Sequence, residues 1–152
     1  MDAPDATLDL DADPDVVWDA LTDSEGVDGW LGAGSHLAPT EGSDLLVADT
    51  ETATTRRGVV EHVEPHRRLV YTWWPDDDDG SSATTVDIRL RPLHPGTRVT
   101  VVERPAAPDA VLMDSHARAG VASGLVHWDW RLAAVELTVA RRHPVVASTR
   151  LR

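Results

Sequence analysis

The chain contains no cysteine, no phenylalanine and no lysine, and only one tyrosine. Without cysteine there is no disulfide framework, no thiolate metal site and no cysteine nucleophile. No apolar run approaches the ~18 residues of a membrane-spanning helix. The opening stretch "MDAPDATLDLDADPD" lacks the basic-then-apolar order of a secretory leader. Together these absences set the expectation of a cytoplasmic protein. Positive charge is scarce as well: 14 basic residues stand against 26 acidic ones, for a net charge of −12. Nucleic-acid binding is driven by cationic neutralisation of phosphate, so nucleic acid and anionic membrane surfaces are excluded as expected partners. The acidity is read as solubility, and the use of arginine alone as codon bias of a GC-rich genome.

What is present fits one globular domain over residues 1–152, with an ordered core over 6–142 and a loose tail over 143–152. Residues 6–12, "ATLDLDA", alternate apolar and polar as a half-buried strand does. Asp13 and Pro14 then read as the cap and first position of a helix carrying Val17, Trp18 and Leu21 on one face. "TDSEG" is expected to end it, and "VDGWLG" reads as a short second helix or turn. "SHLAP", "DLLVADT", "TTRRGVVEHVE", "RLVYTWW", "ATTVDIRLRPL" and "TRVTVVER" follow as strand-like segments whose short connections require antiparallel hairpins. From about 115 to 142 there is no proline. Val121, Leu125, Trp128, Leu132, Val135 and Val139 recur there at spacings of 4, 3, 4, 3 and 4, which predicts a long amphipathic helix. A curved antiparallel sheet wrapped around that helix buries both apolar faces.

Four stretches occur in an informative order: "DPDVVWDALTDSEGVDGWLG", "GVVEHVEPHRRLVYTWW", "TVDIRLRPLHPGTRVTVVE" and "HWDWRLAAVE". Over residues 6 to about 140 the chain resembles the Aha-type branch of the START-like (SRPBCC) superfamily, named after activators of the heat-shock-protein ATPase. The resemblance implies an α+β helix-grip fold. Its strongly bent antiparallel sheet of six or seven strands grips a long C-terminal helix, with two short helices after the first strand. It also implies an internal cavity opening near those short helices. Trp18 reads as a core anchor. Trp30 falls near the implied cavity mouth, where it either packs on the sheet or meets a ligand. The family pattern keeps an aromatic residue at Trp73, which places Trp73 inward and Trp74 outward.

The residues offer no catalytic or metal constellation. Of the seven histidines only His62 and His66 are close, and "HVEPH" reads as a surface hairpin turn. The acidic run of residues 76–79 has the composition of a solvated loop. No GxSxG elbow is present, and the glycines of "GAG" follow a helix instead of preceding one, so they form no phosphate cradle. Glu103, Asp87, His116 and His127 have acid–base chemistry, and the surface is the ordinary expectation for each. Gly120 and Gly124 lie one turn apart on the long helix, where they either permit tight packing on the sheet or leave space beside Leu125 and Trp128.

The expected function is therefore binding of a small hydrophobic or aromatic molecule in a cavity between the sheet and the C-terminal helix. Sequestration of a natural product, as in self-resistance to an antibiotic, is its narrower form. The lining is expected from Trp30, Trp73, Ile88, Gly124, Leu125 and Trp128, with Glu103 and His127 joining it where they turn inward. No metal and no cofactor are expected, and the chain is expected to be a monomer or weak homodimer. Two alternatives are a cyclase or dehydratase acting on a polyketide-like substrate, which needs an inward acid–base pair, and a chaperone-associated protein.

Overall fold

The computed structural model describes residues 5–49, 54–77, 81–106 and 128–142. Strand β1 (Ala6–Leu10) leads into helices α1 (Pro14–Thr22) and α2 (Ser24–Leu31). Strands β2 (Asp44–Asp49), β3 (Thr54–Glu64), β4 (Arg68–Pro75), β5 (Thr84–Pro92) and β6 (Thr97–Pro105) follow, and then helix α3 (Trp128–Arg142). The strands form one antiparallel six-stranded sheet in the order β1-β6-β5-β4-β3-β2. Strands β2 to β6 are a meander in chain order, and β1 joins at the β6 edge. The curved sheet packs on α3, so the α+β helix-grip architecture holds. The expected "SHLAP" strand contributes only a single bridge, from His36 to Leu46.

Alternation decides which face each side chain takes. Leu69, Tyr71 and Trp73 of β4, Val86, Ile88 and Leu90 of β5, and Val99, Val101 and Glu103 of β6 are all buried. Trp74 lies on the other face and is half-buried, as its one-residue offset from Trp73 requires. Asp87 also points away from the core, where Arg68 and Arg89 approach its carboxylate at 2.9 and 3.1 Å. Partial burial raises the Asp87 pKa, but the hydrogen bonds from Arg68 and Arg89 outweigh it and hold the carboxyl below its ordinary value.

The two short helices are joined more tightly than the sequence implies. Asp13 does occupy the cap position of α1, but its side chain makes no capping bond; its backbone carbonyl accepts from Val16 and Val17. "TDSEG" ends α1 at Thr22 as expected, and α2 begins within the same segment, with Asp23 alone between the helices. Asp23 closes α1 through its own N–H to Asp19 and caps α2 by accepting from the Gly26 N–H at 2.8 Å. This compact junction needs a glycine. A Cβ on Gly26 would lie 1.9 Å from the Ala20 carbonyl oxygen, so α2 rests directly on the backbone of α1. Trp18 is the core anchor expected, buried in α1 with its ring edge-on to His66 at 6.2 Å.

Helix α3 buries Trp128, Arg131, Leu132, Val135, Thr138 and Val139, the stripe predicted for its C-terminal half plus two polar members. Residues 115–127 of the predicted helix, with Gly120 and Gly124, lie outside the described residues. At its far end Arg142 donates to Asp23 at 2.8 Å and to Glu25 at 2.8 Å, tying α3 to the α1–α2 junction.

Two predictions follow from this packing. Gly26→Ala should destabilise the protein by about 1–3 kcal/mol through overpacking. Gly29→Ala, whose Cβ would meet only the Thr138 hydroxyl at 3.4 Å, should be neutral or stabilising by up to about 1 kcal/mol; urea denaturation of both variants reads the contrast. The second concerns pH. The hydrogen bond from Arg142 holds the Asp23 carboxyl below its ordinary value of 3.8. Its contribution is present above that value and is lost as pH falls through the lower folded-state value. Arg142→Gln should cost about 1 kcal/mol near pH 7, because the pair is only partly buried and is still reached by solvent. The difference from wild type should shrink below pH ~4, as thermal melts across pH would record.

Candidate functional site

The inner face of the sheet is largely apolar: Thr97 is buried at one end, its hydroxyl donating to the Ala12 carbonyl, and a polar cluster gathers at the other end, near the start of α3. Two adjacent rows of side chains cross the strands there. One runs Gly58–Trp73–Thr84 and the other Val60–Tyr71–Val86–Glu103, each step a direct cross-strand pair. Glu103, for which the surface was the expectation, is buried at 5% exposure. The alternation of β6 carries it inward with Val99 and Val101, and donors on three neighbouring elements meet it. One carboxylate oxygen accepts from the Trp128 indole N–H at 2.8 Å. The other accepts from the Trp73 indole N–H at 2.9 Å and the Thr84 hydroxyl at 2.5 Å. A buried carboxylate is tolerable only when so satisfied.

Aromatic rings close around this anchor. Trp128 lies 6.2 Å from Trp73 and 6.1 Å from Trp30, centroid to centroid, at interplanar angles of 32° and 33°. Trp30 sits in the last turn of α2, fully buried, and its indole N–H donates to the Leu21 carbonyl at the end of α1. Tyr71 meets Trp73 edge-on at 5.2 Å. Two guanidinium groups attend the same indole: Arg56 lies 4.4 Å from the Trp73 ring centre and Arg131 5.4 Å, within cation–π range. Arg131 is buried, and it donates to the Trp30 carbonyl at 2.8 Å, satisfying a free carbonyl at the end of α2. Strand β3 approaches β4 closely here, since a Cβ on Gly58 would fall 2.2 Å from the Thr72 carbonyl oxygen.

Tyr71 stands apart from this network. Its side chain is fully buried, yet its hydroxyl has no hydrogen-bond partner among the described residues. Burial pushes its pKa up, with Glu103 adding to the shift and Arg131 and Arg56 opposing it, so the hydroxyl is protonated at neutral pH.

Of the residues expected to line a site, Trp30, Trp73, Glu103 and Trp128 are brought together. Ile88 faces the same side of the sheet one row further on, between Leu69 and Val101 in the apolar core. Gly124, Leu125 and His127 lie outside the described residues, as does His116. Tyr71, Thr84, Arg56 and Arg131 were missed. Tyr71 and Thr84 carried a legible signal, because each alternates in step with an inward neighbour. Arg131 falls on the apolar stripe of α3 three residues after Trp128, but an arginine there reads as surface. Among the described residues no group of three or more histidine and carboxylate side chains is placed to hold a metal ion. His62 instead lies between Glu41 and Glu64, at 3.2 and 2.8 Å. A separate cleft of 280 Å³ between α2 and α3 is lined by Glu25, Gly29, Thr138, Arg141 and Arg142 and shares no residue with the tryptophan cluster.

Glu103→Ala should remove the acceptor of three buried donors, leaving the Trp128 indole and the Thr84 hydroxyl without it and Trp73 with only the Thr84 oxygen at 3.0 Å, and destabilise the protein by about 3 kcal/mol or more. Glu103→Gln keeps the shape but sets an amide N–H₂ against an indole or hydroxyl donor, so its loss should be intermediate. Denaturation midpoints of the two variants check that order.

Comparison with known proteins agrees with the architecture. Residues 11–135 match the family model described as activator of Hsp90 ATPase homolog 1-like protein. No curated protein sequence matches the chain. Among solved structures, protein MLL2253 from Mesorhizobium loti is similar with a TM-score of 0.72 at 21% identity, covering 90% of this chain and 96% of that one. The Aha1 dimer from Colwellia psychrerythraea is similar at a TM-score of 0.66 and 15% identity, covering 86% and 90%. DynU16, a protein in the dynemicin biosynthetic locus, gives 0.67 and 23% identity over 86% of this chain but only 44% of its own length. At these identities the likeness to solved structures is one of fold. The family model, which runs from the end of β1 into α3, decides the assignment: the chain belongs to the activator of Hsp90 ATPase homolog 1-like family.

Proposed function

We propose that the chain binds a small apolar or aromatic molecule at the inner face of the sheet, beside the start of α3. The observation that carries this reading is the convergence of Trp30, Trp73 and Trp128, three of the six tryptophans, around the buried Glu103 carboxylate. Small-molecule sites combine aromatic and apolar walls with a few placed polar groups, and this end of the sheet has that composition. Ile88 belongs to the apolar floor of the same face. Gly124, Leu125 and His127 stand within four residues of Trp128 in the sequence and are proposed to complete the lining. Retention of a natural product is the narrower form of the reading, supported by the similar fold of a protein from a biosynthetic locus.

Two other readings have less behind them. A cyclase or dehydratase needs an acid–base pair open to substrate, whereas both oxygens of Glu103 are engaged by neutral donors. A chaperone-docking role calls for an apolar surface, and among the described residues Leu137 is the one large hydrophobic side chain that is exposed.

Fluorene and its ketone 9-fluorenone serve as probes. Binding of either at the cluster should quench tryptophan emission. At ten times its Kd it should stabilise the fold by about 1.4 kcal/mol, a rise in Tm of roughly 3–6 °C for a domain of this size. Native mass spectrometry of freshly purified protein should show a retained small molecule. Neither quenching nor a Tm shift with either probe, together with a bare protein mass, would overturn the proposal.

A further inference from the structure

We infer that the Tyr71 hydroxyl is the hydrogen-bond donor that selects the bound molecule, which is a flat aromatic compound carrying an oxygen acceptor of the ring-ketone or phenolate kind. This rests on the binding reading above and adds what the site would choose. Buried polar groups in folded proteins are paired in about nine cases of ten, and an exception asks for a partner supplied from elsewhere. Among the described residues Tyr71 is such an exception, at 0% exposure. Packing does not require a hydroxyl there, since its cross-strand neighbours on the same row, Val60 and Val86, are purely apolar.

The surroundings define the missing partner. Glu103, on the same row, is separated from Tyr71 by Val86, and its two oxygens already receive Trp73, Thr84 and Trp128. The other charged groups acting on the hydroxyl are the guanidinium groups of Arg131 and Arg56, whose positive field favours an electron-rich oxygen. Being protonated, the hydroxyl offers its hydrogen, so the complement is an acceptor. The shape of that partner follows from the rings. Trp30, Trp128 and Trp73 are tilted by only 33° and 32° from one to the next, and Tyr71 presents an edge to Trp73. Such a set favours a planar molecule over a bulky aliphatic one.

The test uses fluorene and 9-fluorenone, which differ by one carbonyl, on wild type and Tyr71→Phe. Wild type should bind the ketone about tenfold more tightly than the hydrocarbon, a difference of about 1.4 kcal/mol. The variant should bind both alike, with its fluorene Kd unchanged. Because no bond is removed, the unliganded variant should melt no lower than wild type. Equal binding of the two probes by wild type, or a ketone preference that survives in the variant, overturns the inference and leaves the binding reading standing. A Tm lowered by several degrees in the unliganded variant also overturns it, since the hydroxyl would then have a structural partner. Failure of both probes to bind wild type removes the binding reading and this inference together.

Discussion

The carboxylate of Glu103 is the constraint on which the tryptophan-rich end of the fold depends. Placing an ionisable group on the inner face of an apolar sheet is costly unless its lone pairs are filled. Here they are filled by β4 through Trp73, by β5 through Thr84 and by α3 through Trp128. One side chain on β6 thereby sets the lateral position of two neighbouring strands and the start of the gripped helix. A hydrophobic residue at 103 would pack there but would take the acceptor from the Trp128 indole N–H and leave the Trp73 indole N–H only the Thr84 oxygen. The polar anchor and the aromatic cluster therefore require each other.

A second chain of contacts joins the helices through their ends. The Leu21 carbonyl of α1 receives the Trp30 indole, and the Trp30 carbonyl of α2 receives Arg131 of α3. Helix termini carry backbone carbonyls with no partner inside the helix, and buried ones must find partners elsewhere. Here the bulky side chains that form the candidate site supply them. Trp30 and Arg131 thus hold the fold together at the candidate site, whereas the Tyr71 hydroxyl has no hydrogen-bond partner among the described residues. That separation singles out Tyr71 among the polar groups of the inner face.

Much of this was legible in advance where periodicity and chemistry agree. The bounds of β3 are those of "TTRRGVVEHVE", and Trp73 and Trp74 divide between the two faces as alternation demands. The stripe Trp128, Leu132, Val135 and Val139 is the buried face of α3. The sequence misled where the two signals conflict. Glu103 alternates in step with Val99 and Val101, but its charge argued for the surface, and periodicity prevailed because tertiary donors compensate the burial. Arg131 shows the same conflict on a helix, resolved by a carbonyl from α2. The α1–α2 junction was legible in part: "TDSEG" does end α1, but its turn-forming composition also suits a double cap, and only the backbone contact at Gly26 shows how closely the helices meet.

By itself the sequence determined the order of elements, the inward and outward faces of the strands, the apolar stripe of the last helix and the family. Those properties follow from local spacing, which a linear chain displays directly. Tertiary structure alone decided that Glu103 is an interior anchor, that Arg131 and Arg56 share one indole and that the single tyrosine hydroxyl is without a partner among the described residues. The physical reason is that the cost of burying a polar group depends on partners tens of residues away. Thirty residues separate Glu103 from Trp73 and twenty-five separate it from Trp128. Whether those donors arrive within hydrogen-bonding distance is settled only when the strands and helix pack.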